Sequence, residues 1–358
     1  MTVGAMDWQQ AQPGYSWSFP QDHWAHPEYR IEWWYFTGHL RLVGQERPRF
    51  GYQFTFYRVG LLTEAPPFES DWSSRSLIMG HAAITDFETG EHRFSELLYR
   101  TVPMLGGFEA APGPRIAWSR APAGTDGAWE LLWNGEAFDF RALDQRQGLA
   151  FDLSTRPRKP LIFQGPGGFS RKGTGAKSSS YYYSFTRLET RGTLSWQGQD
   201  FEVEGQSWMD HEFSSSQLAE NQAGWDWFSL QLEDGREVML YQLRDRSGAP
   251  DFGRGTLVSP SGETAFMGLT DWTIQAERHW ESPASGDRYP VQWTLQIPAQ
   301  ELRLQIVALL DDQENRSRLL PDLDYWEGAV KVLDEQGIPL GRGFVEMTGY
   351  GKNSRPPF

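Results

Sequence analysis

Trp33-Trp34-Tyr35-Phe36-Thr37-Gly38-His39-Leu40 lines up without a gap on Trp225-Asp226-Trp227-Phe228-Ser229-Leu230-Gln231-Leu232. Each stretch is followed by a Gly-containing turn, at Gly44 and Gly235, and then by a second run ending in Tyr57-Arg58 or Leu243-Arg244. Aromatic side chains suit a pleated, half-buried surface, and the turns let the chain reverse. One hairpin met twice, more than half a chain apart, predicts a duplicated β-barrel.

The same period of two extends outward from these copies. Phe50, Tyr52, Phe54 and Phe56 alternate with Arg49, Gly51, Gln53 and Thr55. Met239, Tyr241 and Leu243 alternate likewise, as do Trp293, Leu295 and Ile297, and Leu302, Leu304 and Ile306. These runs read as antiparallel strands, and no long stretch repeats at 3.6 residues. Residues 215–223 read as a helical turn or a loop. Residues 106–127, 165–180 and 281–288 read as loops from their Gly, Pro and Ser content. The fold class is all-β.

Composition narrows the chemistry. The 358 residues suggest two or three domains at roughly 150 residues each. No cysteine is present, which excludes disulfides, thiolate metal sites, Fe–S clusters and a Cys nucleophile. A net charge of −14 argues against nucleic acid as a partner. No apolar run is long enough for a transmembrane helix, and residues 1–12 lack the features of a leader. A cytoplasmic location is expected for the chain as written, or a periplasmic one if a leader has been removed. The 17 tryptophans exceed what ordinary core packing requires and point to an aromatic ligand wall.

Three motifs carry polar groups among these aromatics. In Glu32-Trp33-Trp34-Tyr35, a buried Glu32 is either an acid or base with a raised pKa, or the partner of Arg30 or Arg58 that fixes the barrel. In Trp208-Met209-Asp210-His211-Glu212-Phe213, strand alternation puts Asp210 and Glu212 on one face and His211 on the other. Only one of these faces can line a given interior. In Trp225-Asp226-Trp227, the indoles share a face and Asp226 opposes them.

Residues 153–188 hold no acid but seven bases: Arg156, Arg158, Lys159, Arg171, Lys172, Lys177 and Arg187. This island is a solvated loop or a flap that supplies cations to a pocket. Tyr181-Tyr182-Tyr183 lies within it, after its Ser-rich stretch, at a strand start. His211-Glu212 lacks the second histidine of a zincin, His23-x-x-His26 is a weak metal pattern beside Pro27, and Asn315-Arg316-Ser317 is a sequon in form only. No nucleophile elbow, P-loop or dinucleotide fingerprint is found. No metal and no cofactor are expected.

The Glu32-to-Leu40 block, Trp208 to Phe213, and Gly224 to Phe228 with Asp234-Gly235 and Met239-Leu240-Tyr241 resemble the AttH-like, lipocalin-like family. That family includes carotenoid 1,2-hydratases (hydroxyneurosporene synthases) and related fungal pericyclases. The resemblance runs from about Asp22 to Gly349. It implies two lipocalin-like antiparallel β-barrel domains packed together, assigned here to residues 1–212 and 213–358, with an apolar ligand site near their junction. In the hydratase branch an aligned His and a downstream Tyr-x-Asp add water to a C=C bond. His211 and Tyr241 match, whereas Phe213 replaces a Trp and Leu243 stands where the Asp is expected.

Two functions follow as expectations. One is a cofactor-independent enzyme that hydrates, isomerises or cyclises an apolar terpenoid- or polyketide-like substrate. His211, Asp210, Glu212 and Tyr241 would be catalytic. Glu32, Trp34, Tyr35, Tyr182, Trp208, Trp225, Asp226 and Trp227 would bind the ligand. The other is a lipocalin-type carrier of a lipid or pigment that uses the same pocket without turnover. Neither the substrate nor the oligomeric state is legible in the sequence.

Overall fold

A computed structural model describes residues 7–64, 70–175, 178–215, 218–320 and 323–351. Lys177 of the basic island lies outside these residues, as do Ser216 and Gln217 of the expected turn. The described chain forms two curled, barrel-like antiparallel sheets of 13 and 10 strands, with only three single-turn 3-10 helices. No helix among the described residues is long and apolar enough to cross a membrane.

Both copies of the aromatic hairpin are present. Ile31–Leu42 pairs with Phe50–Gly60, and Gln222–Leu232 pairs with Glu237–Asp245. Each copy also pairs on its other edge with the last strand of its own sheet, Gln199–Ser214 in the first and Pro339–Thr348 in the second. The nine strands along the second sheet repeat the order of the first nine along the first sheet, which carries two more at its end. The chain leaves the first sheet after Ser214 and enters the second at Gln222, so position 212 falls inside a strand.

Two segments depart from the expected loops. Residues 106–127 contain the short strands Gly106–Phe108 and Arg115–Arg120. Ile116 and Ala117 are fully buried there, so packing overrides the local Gly and Pro content. Residues 165–180 contain the short strand Phe169–Arg171, which pairs with the start of Ser179–Trp196.

Each barrel-like sheet encloses its own apolar core, one around Phe36, Phe54 and Phe140 and one around Phe228, Trp293 and Trp326. A third cluster, with Tyr35, Tyr182, Trp208, Trp227 and Tyr241, lies where the sheets pack on each other. That contact is also polar. Lys159 (2.7 Å) and Arg187 (2.7 Å) both hold the buried Glu237 of the second sheet. Gln231 donates to the carbonyls of Thr186 (2.8 Å) and Ser207 (2.9 Å). Much of the basic island thus ties sheet to sheet.

Candidate functional site

A cavity opens between the two sheets, and strand alternation decides what lines it. Trp33 and Tyr35 face it from the first hairpin, and Trp225 and Trp227 from the second. The residues between and beside them turn into the two barrel cores, as Phe36 and Phe228 do. The repeated hairpin therefore supplies two opposed aromatic walls.

Three carboxyls and one ammonium interrupt these walls. Asp210 accepts hydrogen bonds from Tyr182 Oη (2.6 Å), Trp208 Nε1 (2.7 Å) and Ser184 Oγ. Burial still outweighs these donors and pushes its carboxyl up to about 7. Lys172 comes in from the 165–180 segment and pairs with Glu212 at 2.7 Å. Its ammonium lies 4.2 Å from the ring centroid of Tyr241 and 4.9 Å from that of Tyr182. Burial opposes the Lys172 charge, but Glu212 and Tyr241 raise its pKa above the usual lysine value. Glu346 accepts one side-chain hydrogen bond, from Trp225 Nε1 at 2.8 Å, and remains partly accessible. Burial, with Asp210 and Glu212 nearby, pushes its carboxyl up to about 7 against that single donor.

Of the residues singled out in the sequence, Tyr35, Tyr182, Asp210, Glu212, Trp225, Trp227 and Tyr241 line this cavity. Trp208 packs edge-on against Trp227 behind it and holds Asp210. Tyr241 hydrogen-bonds with Ser170 Oγ (3.1 Å) and donates to the Arg171 carbonyl, which fixes the segment that carries Lys172.

Glu32, Trp34, His211 and Asp226 are not cavity residues, and the reason is the same alternation. Trp34 and His211 are register partners that stack at 4.7 Å inside the end of the first barrel. His211 Nε2 donates to Glu32 (2.8 Å), and its Nδ1 meets the Tyr183 hydroxyl at 2.8 Å. Glu32 also takes Arg58 Nε at 3.1 Å, and both the backbone N–H (2.8 Å) and Nδ1 (2.7 Å) of His26. Burial opposes the Glu32 charge, but His26, His211 and Arg58 hold its carboxyl well below the usual range. Glu32 is thus the partner of Arg58 that fixes the barrel.

Asp226 makes a comparable buried ion pair in the second barrel. It is ion-paired with Arg244 at 3.0 Å, and Gln242 and Tyr350 donate to it. The equivalent arginines Arg58 and Arg244 are thus both ion-paired, but Asp226 aligns with Trp34, two positions beyond the counterpart of Glu32.

His26, Glu32 and His211 offer ligand atoms within 4.8 Å of one another, the spacing of a metal site. Those atoms are already bonded to each other, and Arg58 neutralises the second carboxylate oxygen. The donor set fits a closed hydrogen-bond network better than a cation.

The family model for AttH-like proteins matches residues 10–350. This chain belongs to the AttH-like family. The AttH-like chain is similar to the structure of an AttH protein from Nitrosomonas europaea. The two share 33% identity over 96% of this chain and 99% of that one, with a TM-score of 0.82. It shares its fold with kievitone hydratase from Nectria haematococca, at 15% identity over 93% of this chain and 92% of that one, with a TM-score of 0.64. No curated protein matches the sequence.

In this AttH-like protein several cavity residues escape sequence reasoning. Glu346 and Tyr325 come from the last two long strands, and His81 and Met79 from Ser76–Asp86. Glu346 had one available signal, a lone acid in the apolar run Phe344-Val345-Glu346-Met347. His81 sits between Gly80 and Ala82 and carries no pattern. Asn315 of the formal sequon is fully buried and its amide donates to Gln53, so its side chain is not free to carry a glycan.

Proposed function

We propose that this AttH-like protein is a cofactor-independent enzyme that acts on an apolar, terpenoid- or polyketide-like substrate held between the two aromatic walls. The observation that carries the reading is Glu346. It is a carboxyl with one side-chain donor, partly accessible, in a cavity whose largest walls are indole and phenol rings. Such a group is a ready proton donor near neutral pH. Asp210 is a second carboxyl in the same cavity, anchored by three donors.

For an alkene substrate the steps balance simply. The Glu346 proton forms a new C–H bond, the π pair is consumed, and a carbocation remains. Trp225, Trp227 and Trp33 present rings that stabilise the cation. Water adds its oxygen to the cation, and its surplus proton passes to a carboxylate, Glu346 or Asp210. Loss of a different C–H proton instead gives an isomer.

The carrier reading has one observation in its favour. Leu243 lines the cavity beside Tyr241, so the wall is apolar where the hydratase pattern implies a carboxyl. The test offers purified protein a panel of isoprenoid and polyketide alkenes and follows mass and retention time. The enzyme reading expects hydrated or isomerised product from the wild type and a loss of about 100-fold or more in Glu346→Gln, with ligand binding retained. Bound ligands recovered unchanged from the wild type would instead establish a carrier.

A further inference from the structure

A chain of hydrogen bonds crosses the sheet interface four times and ends on His81, a cavity residue. His92 and Asn315 meet first, across the interface, at 2.9 Å. Asn315 Oδ1 has no proton, so His92 Nε2–H donates. Burial holds the His92 ring neutral, at about 4, and its Nδ1 therefore accepts from Thr85 Oγ1 at 2.8 Å. Asn315 Nδ2 donates to Gln53 Oε1 (3.0 Å), and Gln53 Nε2 donates to Tyr325 Oη (3.1 Å). The Tyr325 hydroxyl has two acceptors in reach, Gln53 Oε1 at 3.4 Å and His81 Nδ1 at 2.7 Å. Gln53 Oε1 already takes the Asn315 amide, so the shorter contact assigns the Tyr325 proton to His81 Nδ1.

The consequence is a fixed tautomer. His81 is buried and held neutral, its pKa pushed down to about 3. With Nδ1 acting as acceptor, the ring proton must sit on Nε2. His81 Nε2 is buried and has no hydrogen-bond partner among the described residues. A buried N–H without an acceptor is costly, and few survive in folded proteins without a purpose. Five other side chains are arranged to keep the ring proton on the nitrogen that this chain does not use.

We infer that His81 Nε2–H is a recognition donor for a carbonyl oxygen on an otherwise apolar ligand. The cavity would then select flat, oxygenated ketones of polyketide or terpenoid type over plain hydrocarbons of the same shape. This rests on the ligand site proposed above, and it adds the functional group that the ligand must carry. His81 is a specificity-determining residue in this account, at the end of the site defined by Tyr325 and distinct from the proton-transfer groups Glu346 and Asp210. A hydrocarbon leaves the donor unsatisfied, so discrimination of about tenfold to a hundredfold is expected.

Two measurements on the full chain test this. Long-range proton–nitrogen NMR of ¹⁵N-histidine-labelled protein reads the tautomer directly, and His81 should be the Nε2–H form. A ring protonated at Nδ1 overturns the inference, because the chain would then run in the opposite sense. Calorimetry with 2-acetylnaphthalene and its hydrocarbon isostere 2-isopropenylnaphthalene reads the selectivity. The ketone should bind at least about tenfold more tightly, and His81→Phe should erase that preference while keeping hydrocarbon affinity. Hydrocarbon binding with no gain for the ketone sinks the His81 role and leaves the apolar site standing. Failure of both probes to bind sinks both. The wild-type comparison and the NMR reading need no variant, so a His81→Phe that does not fold leaves the test intact.

Discussion

At the residue scale, His211 shows how a motif can be read correctly in pattern and wrongly in place. Its neighbours Asp210 and Glu212 face the cavity, so the ring between them must face the barrel. There it is wholly buried, stacked on Trp34 and bonded to Glu32 and Tyr183. Burial lowers its pKa although Glu32 pulls the other way. The expected outcome of His211→Phe follows. The aromatic stack survives, two hydrogen bonds are lost, and the Tyr183 hydroxyl and Glu32 each lose a partner. The cost should be about 2–4 kcal/mol in urea unfolding. Turnover and ligand affinity at a temperature where the variant is folded should match the wild type. A His211→Phe protein of normal stability that has lost turnover would return His211 to the mechanism.

At the scale of elements, the repeated hairpin explains both what the sequence reveals and what it hides. Period two was visible in every long aromatic run, and so was the match between the copies. Which face looks at the cavity was not, because both faces of these strands are buried. Ile31–Leu42 and Gln222–Leu232 lie between a barrel core and the sheet contact, and polarity no longer marks the outside. The sequence pattern therefore puts Trp34 and Asp226 in the ligand site with Trp225 and leaves out Trp33, although Trp33 lines the cavity and Trp34 and Asp226 do not. His81, Tyr325 and Glu346 were hidden for a different reason: they converge from strands far apart in the chain, with no local motif. The second strand of the hairpin offers a test. Tyr57 and Leu243 occupy equivalent positions, and both line the cavity. Leu243→Asp restores the carboxyl of the hydratase pattern in a buried wall, near Asp210 and Glu346. It should destabilise by about 2–4 kcal/mol at pH 5, where the new acid can stay neutral, and by more at pH 8. Urea midpoints at the two pH values check this, and an equal penalty at both would mean that the position is solvated.

At the scale of the whole molecule, the buried titratable groups set the pH range in which the fold is stable. His23, His39, His81 and His92 are kept neutral by burial, with pKa values pushed down to about 3, 4, 3 and 4. Unfolding returns each to its ordinary value of 6.5, so below that pH the unfolded chain binds more protons and stability falls with falling pH. Glu32 acts in the same sense, since its lowered pKa gives stability that is lost as pH drops below its ordinary 4.5. Asp210 and Glu346 oppose this. Their raised values, about 7, mean that the folded chain binds more protons between roughly pH 4 and 7, so their contribution weakens as pH rises. Glu327, whose carboxyl is raised by burial and by Glu346, opposes it too. Four histidines and Glu32 together outweigh these three carboxyls, which leaves a net acid limb. The alkaline limb belongs to His26. Burial lowers its pKa, but Glu32 and Asp22 raise it further, to about 9. Its stabilisation is complete below pH 6.5 and is lost as pH rises through 9, on the order of 3 kcal/mol in all. The two limbs meet near neutrality, so Tm should peak between about pH 6.5 and 7 and decline toward both pH 4 and pH 9.5. His26→Gln should lower the peak, flatten the alkaline side and soften the acid side below about pH 4.5, because Glu32 and Asp22 lose the charge that holds their carboxyls low. A wild-type Tm that stays level through pH 10 would mean that His26 is not the imidazolium bridging Asp22 and Glu32.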